Sequence, residues 1–138
     1  MAETAIPGAV GAGDPKQVFG FLEEGQAFGR KVFHSALYEH LPRDPSVRVT
    51  VYTAEIAPGG TTGWHTHNGV SLFLIVAGEL TVEFEDHEKT YTAGDVFYEP
   101  IGVIHRGRNR HPTETCVGVA FLATSPDRPD MTITKEPW

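Results

Sequence analysis

From Val47 onward the chain alternates apolar and polar residues in short runs that turn residues interrupt. Val47-Arg48-Val49-Thr50-Val51-Tyr52-Thr53 is β-branched and alternating, which predicts a strand. Ser71-Leu72-Phe73-Leu74-Ile75-Val76 is apolar on both faces, as a central strand is, with Phe73 and Ile75 on the same side as Ser71. In Glu79–Glu85 the period of two is unbroken and turns Leu80, Val82 and Phe84 inward. Asp86-His87-Glu88, Ala93-Gly94-Asp95 and Asn109–Thr113 read as hairpin tips, and Pro58–Gly63 as a glycine-rich connection. Upstream, Lys31–Tyr38 reads as a further strand and Leu41–Ser46 as a turn. The tail from Thr124, with three prolines, reads as irregular. Many short strands without a helical period predict an all-β antiparallel sandwich or barrel.

The 138 residues fit one domain, spanning 18–138, preceded by a flexible Ala/Gly/Pro-rich arm over residues 1–17. A net charge of -7 argues against a nucleic-acid partner. Arg106, Arg108 and Arg110 form a local basic cluster, read as a solvated strand edge before any anion-steering role. Cys116 is the only cysteine and lies in a strand pattern, so it reads as a buried, inert thiol. No basic leader and no long apolar run is present, which gives no membrane partner and a cytoplasmic location as the expectation.

The candidate chemistry is histidine. His65-Thr66-His67 places two imidazoles on one face of a strand, where they can grip one ion. Alone, the pair reads equally well as two exposed histidines. A third histidine stands in a defined setting, with Gly94, Pro100, Gly102, His105 and Asn109 spaced G-x5-P-x-G-x2-H-x3-N. His65, His67 and Gly78 fit a companion motif, G-x5-H-x-H-x(3,4)-E-x6-G, whose opening glycine is Gly60, one residue close, or Gly59. With both motifs in order, the stretch from about Val47 to Ala123 resembles the cupin superfamily.

The resemblance implies a double-stranded β-helix, or jelly roll, with a metal inside the barrel. His65, His67 and His105 would be its ligands, and a homodimer would be the expected assembly. The family's usual fourth ligand, a glutamate, is replaced by Ser71, or by Leu72 with one more residue allowed. The resemblance therefore implies a three-histidine site for one divalent transition metal, iron first and Zn, Ni, Mn, Cu or Co as alternatives, with Ser71 holding a metal-bound water. Phe73 and Ile75 would give the pocket an apolar wall. Glu99 shares strand parity with Phe97 and is read as an acid or base just outside the ligand set, or else as a rim charge. Tyr52 and Trp64 read as packing residues before cavity residues, and His34, His40, His87 and His111 as surface or loop. The leading functional expectation is an Fe(II)-dependent dioxygenase of a small molecule. The alternatives are a metal-dependent isomerase, lyase or cyclase, and a non-catalytic binding or sensor barrel.

Overall fold

A computed structural model describes residues 19–20, 24–39 and 41–134, so the arm over 1–17 and His40 lie outside the described residues. Among the described residues nine strands form in chain order: β1 (Arg48–Ile56), β2 (His65–His67), β3 (Gly69–Ala77), β4 (Glu79–Phe84), β5 (Glu88–Thr92), β6 (Val96–Glu99), β7 (His105–Arg108), β8 (Cys116–Thr124) and β9 (Met131–Ile133). They pair into two antiparallel sheets, β1-β8-β3-β6 and β5-β4-β7-β2-β9. This is the all-β double-stranded β-helix. The inward residues of both sheets meet in one core that contains Ile56, Phe73, Ile75, Leu80, Val82 and Phe97. Burying such side chains is the main force that holds two sheets together, at roughly 1.5–3 kcal/mol each.

The alternation read in β1, β3 and β4 is present, with Leu80 and Val82 buried and Phe84 packed against the core. Four readings need correction. Lys31–Tyr38 is not a strand; Val32 and Phe33 lie near Leu72, Leu74 and Phe121 on the β1-β8-β3-β6 sheet, Leu37 is exposed, and Tyr38 packs on Tyr98. Of the three hairpin tips, only residues 85–87 close a hairpin, between β4 and β5. Residues 93–95 and 109–115 instead carry the chain from one sheet to the other, because β6 pairs with β3 and β8 with β1 and β3. Turn residues identify a reversal but not which sheet receives the next strand. The tail is also not wholly irregular, since β9 pairs along β2.

The motif residues Gly78, Gly102 and Asn109 fix this architecture. Gly78 takes a φ of 77°, and a Cβ there would meet the Thr115 carbonyl oxygen at 2.5 Å, so the β3–β4 turn requires glycine. The buried Asn109 amide donates to the carbonyls of Ile56 (2.9 Å) and Glu114 (2.7 Å) and accepts from the His111 N–H (3.0 Å), tying the end of β1 to the 109–115 crossing. The Gly102 N–H donates to the His67 carbonyl at 3.0 Å, tying the second motif to the first.

Candidate metal centre

Register delivers the histidines. His65 on β2 is the cross-strand partner of His105 on β7, and His67 follows two residues on, on the same face. The ring centroids lie 4.5 Å apart for His65–His105, 4.8 Å for His65–His67 and 5.2 Å for His67–His105. All three are buried. The His65 and His105 Nδ1 atoms each lie 2.8 Å from a carbonyl oxygen, of Gly63 and Val103 respectively. A carbonyl can only accept, so Nδ1 of each ring carries a proton and Nε2 is the atom turned to the centre.

The fourth donor crosses from the opposite sheet. Glu99, the last residue of β6, sets its carboxylate 3.1 Å from His67 Nε2 and 3.8 Å from His105 Nε2. One donor atom from each of His65, His67, Glu99 and His105 falls within 4.8 Å of the others. Glu99 thus stands among the histidines, and the group that could hold an ion comprises three imidazoles and a carboxylate. Ser71 explains how. It is the Cα partner of Glu99 across β3 and β6, is fully buried, and donates its hydroxyl to Glu99 Oε2. The carboxylate missing from the usual position on β3 is supplied by the residue directly opposite it.

Burial alone would raise the Glu99 pKa. The neighbouring His105 and His67 imidazoles and the Ser71 hydroxyl outweigh it, leaving the carboxyl ionised far below the usual range. His65 is shifted downward, chiefly by burial and further by the other two histidines, and stays neutral at pH 7. His67 Nδ1 and His105 Nε2 are buried without a hydrogen-bond partner, although buried polar atoms normally have one. Converging imidazoles, one ionised carboxylate and an unsatisfied inward Nε2 fit one divalent ion.

The four donors occupy one end of a cavity of about 190 Å³. Phe73, Leu80, Val82, Phe97 and Met131 make its wall apolar, and among the described residues no lysine or arginine lines it. Phe73 is where parity places it, whereas Ile75 is wholly buried in the core behind the wall, and Ser71 reaches the site only through Glu99. Tyr52 lines the cavity instead of serving only as packing; its place on the inner face with Ala54 and Ile56 was readable from strand parity. Met131 was not readable, because it arrives on β9. Trp64 belongs to the outer packing, with the Arg106 guanidinium 4.6 Å above its ring. The arginine cluster converges on one carboxylate, Glu83, at 2.5 Å from Arg106, 3.7 Å from Arg108 and 2.7 Å from Arg110.

Comparison with known proteins gives a consistent result. A family model described as a cupin domain matches residues 52–121, just over half of the chain. Germin-like protein 5-1 of Oryza sativa subsp. japonica is 29% identical, over 93% of this chain and 62% of its own length. The chain spans about half the length of the curated plant relatives it matches. Among solved structures, an uncharacterised double-stranded β-helix protein from Klebsiella pneumoniae aligns over 75% of this chain and all of its own, at 18% identity and a TM-score of 0.56. An oxalate oxidase in complex with the substrate analogue glycolate aligns over 62% of this chain and 46% of its own, at 25% identity and a TM-score of 0.53.

Proposed function

The chain belongs to the cupin family, and from that premise we propose that it is a mononuclear metal enzyme that oxidises a small organic molecule, with iron or manganese as its ion. The observation that carries this reading is the Glu99 carboxylate standing among three buried imidazoles that line an otherwise apolar cavity. Imidazole alone suits zinc, copper and nickel as well as iron; adding an ionised oxygen donor favours the harder, oxygen-preferring ions. Four protein donors leave open positions in a six-coordinate shell. A bound ion of this kind would supply Lewis acidity and, for iron and manganese, one-electron redox chemistry.

The protein's own residues do the rest. His65 and His105 are held by backbone carbonyls, so their lone pairs converge without reorganisation. Ser71 holds Glu99 in line. Phe73, Leu80, Val82 and Phe97 exclude bulk water and limit the substrate to a compact molecule. The oxalate oxidase likeness supports the same class, in that the aligned protein handles a small oxygen-rich molecule.

The test is elemental analysis of protein purified without chelators, followed by oxygen-uptake measurements on iron-, manganese- and zinc-loaded samples with a panel of small oxygenated acids and ketones. One equivalent of iron or manganese with substrate-dependent oxygen consumption is expected. A folded protein that takes up no metal, or that turns substrate over equally well with zinc, would refute the reading.

A further inference from the structure

The cavity offers a substrate few polar contacts beyond the four donors. Thr62 lines it, but its hydroxyl is committed, accepting from the Gly107 N–H (2.9 Å) and lying 3.1 Å from the Gly63 carbonyl. Tyr52 is different. It projects from the inner face of β1, in the row Tyr52, Ala54, Ile56, and it remains 38% exposed at the mouth of the cavity. Its hydroxyl makes no hydrogen bond to any described residue. Burial first, then the Glu99 and Asp130 carboxylates, raise its pKa above the ordinary value of 10.0, so the phenol keeps its proton and remains a donor.

Charge sets a second condition. A divalent ion with Glu99 carries one net positive charge, and no lysine or arginine lines the cavity to accept more anion. A chelating substrate with one negative charge would leave the site neutral. A dianion would leave an uncompensated charge inside an apolar cavity, with Asp130 near the mouth, which is costly.

We infer that Tyr52 donates a hydrogen bond to the outer oxygen of the substrate, and that the substrate is a small compound with two neighbouring oxygens and at most one negative charge. An α-hydroxy acid or an enolised dicarbonyl has this chemistry. The inference rests on the metal-enzyme reading above. Tyr52 is then a specificity residue, remote from the metal donors in sequence and brought over them by β1.

Manganese-loaded protein is titrated calorimetrically with glycolate and with oxalate, which are similar in size and differ by one charge. Wild type, Tyr52→Phe and a control, Tyr38→Phe on the outer sheet face, are compared. Tyr52→Phe should weaken glycolate roughly tenfold, the loss of one good hydrogen bond, with metal content and Tm unchanged. Tyr38→Phe should match wild type. Relative to its affinity for the aqueous ion, oxalate should bind wild type at least about tenfold less well than glycolate, since only oxalate adds the second charge. Full metal uptake with glycolate affinity equal in wild type and Tyr52→Phe would overturn the role of Tyr52. A relative preference for oxalate would overturn the charge rule. Failure to take up metal would remove the proposed function and this inference together, a pattern separate from the other two.

Discussion

At the scale of single residues, the position of the carboxylate decides what the site can hold. Glu99→Gln keeps the shape of the side chain but removes its charge, and should lower manganese affinity by about 100-fold or more, beyond the 10–100-fold of residues that only support a ligand. The double change Ser71→Glu with Glu99→Ser exchanges the two partners across β3 and β6. It should recover most of the lost affinity, whereas Glu99→Ser alone should not; a metal-competition titration distinguishes the three. Acid should loosen the apoprotein from about pH 6.5 downward. The folded His65 pKa lies below its ordinary 6.5, so the unfolded chain takes up a proton that the folded chain refuses, and stability falls as pH falls. Glu99 acts in the same direction at lower pH: its folded pKa is depressed, so its contribution is complete above about 4.5 and is lost only as pH falls through the folded value. Tm of EDTA-treated protein across pH 4–8 checks the His65 contribution, which His65→Gln should flatten, and continuing the scan below pH 4 checks that of Glu99. Cys116 is buried, which pushes its thiol up to about 12, with Glu79 adding to the shift. An aromatic disulfide reagent should leave it unlabelled in native protein and label one equivalent after unfolding.

At the scale of elements, two glycines in the sheet that faces the histidines should respond very differently to alanine. A Cβ on Gly69 would meet the Ala123 carbonyl oxygen at 1.9 Å, in the backbone of the paired strand β8. The strands cannot separate there without loss of their hydrogen bonds, so Gly69→Ala should fail to fold or lose several kcal/mol by thermal unfolding. A Cβ on Gly118 would instead meet the Phe73 ring, at 2.1 Å. That ring can shift, and the side open to it is the cavity it lines. Gly118→Ala should therefore cost about 1–3 kcal/mol, as overpacking does, and keep its metal. It should discriminate against larger chelators more sharply than wild type, as a series of glycolate homologues would show. If all homologues bind as they do to wild type, Phe73 does not set the depth of the cavity.

At the scale of the whole molecule, some of the strands were legible in the sequence because alternation is a matter of local spacing. Period-two alternation identifies β1, β3 and β4 from their own residues. The i,i+2 spacing puts His65 and His67 on one face, and the resemblance to the two cupin motifs is what joined His105 to them. What was hidden depends on which strands become neighbours. Glu99 has the parity of an inward residue, but its entry into the donor set requires β6 to pair with β3 in the register Ser71–Glu99. The crossings at 93–95 and 109–115, and the return of β9 to β2, are equally non-local. That return has a consequence in time. The His65–His67 strand has one partner pair with β7 and three with β9, so its support is complete only when Ile133 is available. On a ribosome adding 5–20 residues per second, about 66 residues must follow His67, a wait of roughly 3–13 s. The nascent chain therefore exposes His65 and His67 for seconds before β9 exists to pair along their strand.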